Sequence, residues 1–426
     1  MHSGGTLRAG IRLSPSAFHY AITDGDACVA AGTRAGFTTL SDTVAAAFAE
    51  ISSAAPRVVR EATVDVSGVL ETLTPAPVVA IRVSPRPPDA MHAHQLPAQA
   101  ADAVILSVHV KGGHDLRGQE LTSLDLDGFR EHIPAILSTG ARAIAITGVG
   151  AMTTRDHETR IADELLEANS ELHVTISHEF LSSSFVNRDY TAVMNAGLAS
   201  AGAKLASMLE LSCSRYLPKA ELSHLKNDGG KAPVRRLAVT PIHALYSRWA
   251  AELCGVAFLA SAPDGELVVS SDEGTSVSWM HSGLPLARSV VDEGSHLTIA
   301  SNTAIRHPFT LNHRVPPLIA DLRGDTSQPL PFRLQSTFTL PDGLEAVSVG
   351  CAIAPYTVWV DRFATAPDVD TLNRVLRAAE EDARSIVVHL GAEPTTASII
   401  EANSFAVPFG NPDVVRLRVR AAGEVS

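Results

Sequence analysis

Imidazoles and carboxylates that lie close together along the chain mark the first places where chemistry could be done. His157-Glu158 and His178-Glu179 are adjacent pairs of the types that carry general acid–base work. Neighbours on an extended strand point to opposite faces, so such a pair on a strand cannot serve one substrate atom. The competing reading makes His178 and Glu179 hydrogen-bonding ties between a strand end and the next loop. His92, His94, His109, His114 and Asp115 form a second neighbourhood. Its ligand types suit Zn²⁺ or a similar divalent ion, with His109, His114 and Asp115 as the expected set. The spacing is looser than a metal motif, and in a chain of 17 histidines the alternative is that these are surface and loop residues. Arg188 could hold an anionic substrate through its guanidinium fork. Its neighbours Asn187 and Asp189 are helix-capping types.

The elements that would position these groups alternate between short apolar runs and helical spacing, the pattern of an α/β protein. Val104–Val110, Ala143–Thr147 and His173–Ser177 read as buried strands. A helix starting near Asp156, its expected N-cap, carries Ile161 and Leu165 on one face. Asp189 to about Leu211 reads as a long Ala-rich helix. Val256–Ala260 and Leu267–Ser270 flank Pro263-Asp264-Gly265, a hairpin signal. Leu372, Val375, Leu376 and Ala379 follow helical spacing. Ile386–Leu390 and Val414–Val419 read as the closing strands. Pro218–Pro233 and the proline-rich His307–Pro331 suggest breaks or long loops.

Composition narrows the classes. With 426 residues the chain can bury two or three cores. Its 34 Lys+Arg against 46 Asp+Glu give a net charge of −12, which disfavours nonspecific nucleic-acid binding. No apolar run reaches membrane-spanning length, and Met1–Gly10 lack a signal-peptide pattern. Four dispersed cysteines, Cys28, Cys213, Cys254 and Cys351, argue against a disulfide framework, so a cytoplasmic setting is expected. Cys254 and Cys351 sit in apolar runs and read as core. No Gly-x-Ser-x-Gly elbow and no Walker-type Gly-Lys-Ser loop occurs.

Several segments resemble the hydantoinase A/5-oxoprolinase family when taken in order. They are Gly112-Gly113-His114-Asp115 leading to Leu124-Asp125, then His157-Glu158, Ser177-His178-Glu179, Asn187 through Ala196, and Asp228-Gly229-Gly230. Gly350–Ala354 with Asp361-Arg362, and Gly391-Ala392-Glu393-Pro394, are similar more weakly to the family's end. The resemblance implies a two-lobed actin-like α/β fold (acetate and sugar kinase/Hsp70/actin, ribonuclease H-like). The expected division is an N-terminal lobe over 1–190, a second lobe over 191–330, and a C-terminal segment over 331–426 packed on it. In the family, ATP activates the carbonyl or amide oxygen of a cyclic amide or ketone, for ring opening or carboxylation. A hydantoinase B-type subunit commonly completes the reaction.

The same resemblance locates phosphate-binding turns whose chemistry has changed. Gly10–Tyr20 has the frame of the first phosphate hairpin, followed by the acidic turn Asp24-Gly25-Asp26. Arg12 stands at the first Asp, Ser14-Pro15-Ser16 at Gly-Gly-Thr, and His19 at the second Asp. Arg12 would repel the Mg²⁺ that an Asp holds, and Pro15 offers no N–H donor. The second loop keeps Asp272, Gly274 and Thr275, lacks one Gly, and has Ser278 at its second Asp. Val239–Ile242 retains only Pro241 of a Ser-Gly-Pro-Ala turn, and Thr298–Ile305 has no Gly. Arg12, Ser14, Ser16, Gly274 and Thr275 are thus the expected remnants of the cofactor site, while productive Mg·ATP hydrolysis is not expected. Asp228, Asp272 and His178 are the candidate catalytic residues. Asp228-Gly229-Gly230 is also a turn by composition. Three functions follow: a cyclic-amide hydrolase/carboxylase-group protein without normal ATP chemistry; a non-catalytic scaffold or regulatory subunit bound to a hydantoinase B-like chain or to copies of itself; or a divergent ATPase.

Overall fold

The computed structural model describes residues 6–87, 98–271, 274–288, 299–305, 307–308, 318–323, 337–407 and 413–425. The first strands, β1 (Leu7–Ser14), β2 (Ala17–Asp24) and β3 (Ala27–Ala35), form an antiparallel meander. In β1 the apolar side chains Leu7, Ala9, Ile11 and Leu13 alternate into the core, as a half-buried strand requires. Helix α1 (Leu40–Ala54), capped by Thr39, returns the chain to β4 (Val59–Asp65), which pairs parallel with β1.

A four-stranded parallel sheet follows, in the order β6-β5-β7-β8. Its strands are β5 (Val78–Ser84), β6 (Val104–Lys111), β7 (Ala143–Gly148) and β8 (His173–Ile176). Helices α2 (Leu126–Ser138) and α3 (Asp156–Ala168) are its crossovers. Both faces of β5 and β7 are buried, which explains their unbroken apolar runs. Ile161 and Leu165 do face this core. The residue at the N-cap of α3 is Arg155 rather than Asp156, without a side-chain bond, so the acidic side chains Asp156 and Glu158 lie in the first turn instead.

The long helix α4 (Phe185–Tyr216) begins earlier than its Ala-rich stretch suggests. Ser184 caps it by accepting from Asn187 N, so neither Asn187 nor Asp189 is the cap. Asp189 is buried and accepts from Arg82 Nε at 2.9 Å. The polar stretch 218–233 is no linker. It holds β9 (Glu221–Leu225) and β10 (Lys231–Pro233), which pair in the middle of the large sheet and bury Lys231 against Glu61. An ion pair hides the interior position of these strands from a hydropathy reading.

Helix α5 (Ser247–Leu259) takes in the apolar run Val256–Ala260 expected as a strand. Ala250, Leu253, Cys254 and Ala257 recur with helical spacing into one core, and that longer period decides the element. After it, β11 (Gly265–Ser271) and β12 (Gly274–His281) form an antiparallel hairpin, and β11 pairs parallel with β13 (Leu318–Asp321). Helix α6 (Ala346–Ile353) precedes β14 (Tyr356–Thr365), α7 (Val369–Leu390), β15 (Ser398–Ala406) and β16 (Val414–Gly423). Ile386–Leu390 is the last turn of α7, not a strand. Ala379, Ala383 and Val387 carry its buried stripe to the positive-φ stop at Gly391.

The large sheet has nine strands in the order β15-β16-β14-β10-β9-β4-β1-β2-β3. The N-terminal meander and the C-terminal strands are therefore one continuous surface. The second lobe repeats the motif: β12-β11-β13 has the antiparallel-then-parallel arrangement of β2-β1-β4. Helices α5 and α6 pack between these sheets with their backbones almost touching. A Cβ on Gly255 would lie 1.9 Å from Ala346 O, and one on Gly350 would lie 2.0 Å from Ala251 O. No helix among the described residues is long and apolar enough to cross a membrane.

Candidate functional site

The β1–β2 turn points toward the N-terminus of α6. Arg12 donates from Nη1 to Glu345 Oε1 at 3.1 Å. Glu345 is the N-cap of α6, and its Oε2 accepts from Ser348 N at 2.8 Å. One carboxylate therefore neutralises the guanidinium and takes an amide at the helix N-terminus, the two kinds of donor an incoming phosphate would use. Ser14 Oγ donates to Ala17 O at 3.0 Å, and exposed Ser16 receives Gly36 N on its carbonyl at 3.0 Å. His19 bonds Thr33 through Nδ1 at 2.9 Å. Burial lowers the pKa of His19, and Arg12 and Arg248 add to the effect against Glu345. Behind the turn, Asp65 is fully buried, accepts from Ser67 N and Ser247 Oγ, and is pushed up in pKa by burial. At this turn the Arg12 guanidinium is paired with Glu345, and Asp65 Oδ2 behind it is a buried carboxylate oxygen without a hydrogen-bond partner among the described residues.

In the second hairpin, Thr275 Oγ1 bonds Ser270 Oγ across the strands at 2.9 Å, and Ser278 is buried with its Oγ unpartnered among the described residues. Gly274 opens β12. Asp272 lies outside the described residues, as do His92 and His94.

The expected metal set is not assembled. His109 Nε2 bonds Ser84 O at 3.0 Å, Asp115 Oδ1 is taken by the amides of Arg117 and Gln119, each at 2.8 Å, and His114 lies against His157 with ring centroids 4.1 Å apart and the planes tilted by 45°. Among the described residues no three His, Cys, Asp or Glu side chains converge on a metal position. A cavity of about 300 Å³ lies beside His114, lined also by Asp115, Thr153, Phe185 and Arg188.

The His–Glu pairs are divided by the fold. Glu158 is buried and accepts from Gly148 N, Ser177 Oγ, His178 N and His178 Nδ1 at 2.6, 2.6, 3.0 and 2.8 Å. It thus ties the end of β7 to the turn after β8. His157, its neighbour, turns the other way: Nδ1 accepts from Gly113 N at 2.9 Å and Nε2 bonds Glu120 at 3.0 Å. Arg188 joins the Glu158 network, donating to Gly148 O at 2.7 Å and Ser182 O at 2.8 Å. Its guanidinium is committed to these two backbone oxygens and to Ser177 Oγ, 3.3 Å from Nε.

Asp228 stands in the most developed polar site. It is buried and accepts from Gly230 N at 3.0 Å, Thr357 Oγ1 at 2.8 Å and Trp359 Nε1 at 3.0 Å. Lys226 Nζ is 3.4 Å away and Arg420 Nη2 3.8 Å. Burial alone would raise the Asp228 pKa, but Lys226 and Arg420, helped by these hydrogen bonds, hold it well below the usual carboxylate value. Burial lowers the Lys226 pKa, with Asp228 opposing. Beside Asp228 opens a cavity of about 290 Å³. Burial, with Lys226 adding to it, pushes both His224 and His243 on its wall down to about 3, so both are neutral at pH 7. His243 Nδ1 bonds Ser301 Oγ at 2.8 Å, and Ser301 in turn bonds Asn227. Sequence reasoning marked Asp228 but missed His224, His243, Asn302, Trp359 and Glu345. They come from five separate segments, and only the proximity of Lys226 to Asp228-Gly229-Gly230 was visible in the chain.

Comparison with known proteins agrees with this architecture. The family model described as hydantoinase/oxoprolinase N-terminal region matches residues 36–168, and the hydantoinase/oxoprolinase model matches residues 188–285. No curated protein matches the chain. The nucleotide-free structure of an acetone carboxylase, from work on ATP-dependent acetone carboxylation, superposes with a TM-score of 0.64 at 11% identity, covering 99% of this chain and 88% of that one. The ATP-dependent caprolactamase from Pseudomonas jessenii gives 0.65 at 11% identity, covering 98% and 88%. These likenesses show the fold, which is the two-lobed actin-like α/β architecture.

Proposed function

Because the chain belongs to the hydantoinase/oxoprolinase family, we propose that it is a member of the cyclic-amide hydrolase and carboxylase group that works without normal Mg·ATP hydrolysis. The observation that carries this reading is the Arg12–Glu345 pair at 3.1 Å. It fills the first phosphate turn with an internal cation–anion couple, where the resemblance calls for a carboxylate and a Gly-Gly-Thr turn. Bringing in a triphosphate would break this pair and set Glu345 against the incoming negative charge. The substrate in this reading is a small cyclic amide or ketone, and the cavity beside Asp228 is the place to receive it.

The test is a calorimetric titration of the chain with Mg·ATP, run beside an assay of phosphate release. The expected result is no saturable binding and no release above the buffer rate. Binding in the micromolar range, or sustained turnover, overturns the reading and restores the ATPase alternative.

The closed turn also favours a second reading, in which the chain is a non-catalytic subunit of a complex with a hydantoinase B-like chain. A stable complex that turns over cyclic amides equally well with wild-type and Asp228→Asn chains would select it. Loss of turnover in the Asp228→Asn complex would return the chemistry to this chain.

A further inference from the structure

The cavity of about 290 Å³ beside Asp228 has a cation on its wall that the fold has not used. Arg236, in the short 3₁₀ turn Val234–Ala238, is half-buried there, and its guanidinium has no hydrogen-bond or ion-pair partner among the described residues. Lys226 lines the same cavity. Its Nζ donates to Thr357 O at 2.9 Å and lies 3.4 Å from Asp228 Oδ2, while a lysine ammonium carries three N–H groups. Two imidazoles on the wall register the charge. Burial first, and then Lys226 and Arg236 among the neighbouring charges, hold His224 and His243 neutral, with Asp228 opposing at His243. Asp228 itself is spent on Gly230, Thr357 and Trp359. Much of the remaining wall is apolar: Leu181, Val358, Trp359, Ile386 and Leu390. Ile386, on α7, is 41% exposed although it belongs to a chain with a core to fill.

Open N–H donors on charged groups, set beside apolar side chains, are complementary to an anion with a hydrocarbon part. A guanidinium fork meets a carboxylate in two parallel hydrogen bonds. Glu179 also lines the cavity, without an ion-pair partner among the described residues, and Asp228 adds a fixed negative charge. These two carboxylates work against a doubly charged phosphate more than against a singly charged acid. We propose that this cavity is a binding site for a small organic monocarboxylate, its acid group held by Arg236 and Lys226 and its hydrocarbon part lying against Val358, Ile386 and Leu390. The inference follows from charge and open donors on the wall and does not rest on the cyclic-amide reading. The site is separate from the phosphate turns: none of Arg12, Ser14, Ser16, Gly274 or Thr275 lines the cavity.

The test is ligand-observed NMR and calorimetry on the full chain, with pentanoate, pentanamide and inorganic phosphate as probes. Pentanamide keeps the shape and removes the charge. The wild-type chain is expected to prefer pentanoate to either of the others by roughly tenfold or more. Arg236→Ala is expected to abolish the preference over pentanamide. Ile386→Glu, at an exposed helix position, is expected to weaken pentanoate by a similar factor. Circular dichroism establishes that each variant is folded, and Arg236→Gln replaces an alanine variant that is not. No binding of pentanoate, equal affinity for pentanamide or phosphate, or undiminished pentanoate affinity in both folded variants overturns the site. The family reading is judged separately, by turnover of cyclic amides with a hydantoinase B-like partner. Absence of turnover with the binding pattern intact sinks that reading and leaves the site standing, and turnover by a chain that ignores pentanoate does the reverse.

Discussion

Glu345 links two ends of the molecule: one carboxylate oxygen accepts from Arg12 Nη1 at 3.1 Å while the other caps its own helix through Ser348 N at 2.8 Å. The pair joins β1, early in the chain, to α6, 333 residues later. Gly10, two residues before Arg12, lets the strand approach that closely. A Cβ there would lie 1.9 Å from Ser348 O.

Glu345→Ala removes both bonds. Loss of an N-cap costs about 1 kcal/mol, and the partly exposed ion pair adds little. The expected loss is about 1–2 kcal/mol in urea denaturation. The variant also frees the guanidinium and the helix N-terminus, so inorganic pyrophosphate should raise its melting temperature while leaving the wild type unmoved. An equal response in both would remove Glu345 from the role of resident anion.

Glu158 accepts four hydrogen bonds with its side chain buried. Glu158→Ala strands those donors and Arg188 with them, and should cost about 3 kcal/mol or more. Glu158→Gln keeps the shape and part of the acceptor capacity and should fall between. Chemical denaturation measures both; a change under about 0.5 kcal/mol in the alanine variant would contradict a structural role for this network.

The α5–α6 contact admits no side chain. Gly350→Ala places a methyl 2.0 Å from Ala251 O, a backbone atom that cannot swing away. Overpacking of this kind costs about 1–3 kcal/mol or more. Gly140→Ala is a control in open space, although its φ of 70° carries strain of its own. The melting temperature of Gly350→Ala should fall further than that of the control.

His224 gives the stability a defined pH dependence. Its folded pKa is pushed down to about 3 by burial and Lys226, from an ordinary value of 6.5. A lowered histidine pKa means that the unfolded chain binds the proton more readily. Its contribution is complete above 6.5 and is lost as pH falls from there toward about 3. The slope is about 1.4 kcal/mol per pH unit for one such group. Denaturation midpoints of wild type and His224→Gln between pH 7 and about 4 should converge as the pH drops. Parallel curves would place the titration elsewhere.

The sequence by itself determined the periodic and local parts of this protein. The alternation of β1, the turn at Asp24-Gly25-Asp26, the buried apolar run of β7, and the helical stripe of α7 at Leu372, Val375, Leu376 and Ala379 are set by side-chain spacing and turn residues; β6, also read as buried, is a strand but lies at the sheet edge with Ile105 exposed. The ordered family segments, together with Arg12 and Pro15 at the first turn, were also legible, and they carried the fold. Local signals failed where a long-range partner decided. Val256–Ala260 and Ile386–Leu390 have strand-like composition, but each completes a helix whose buried stripe began up to a dozen or more residues earlier. Pro218–Pro233 reads as polar, yet its Lys231 is buried inside a sheet, where Glu61, 170 residues away, pairs with it.

The site was settled by tertiary structure for the same reason. Hydrogen-bond saturation is a property of neighbours in space. Glu345 becomes an anion for Arg12, and Lys226, Thr357, Trp359 and Arg420 gather round Asp228, only after one nine-stranded sheet joins β1, β9, β14 and β16. A sequence lists the donors and acceptors a chain possesses; folding decides which of them are already used and which are left open to a ligand.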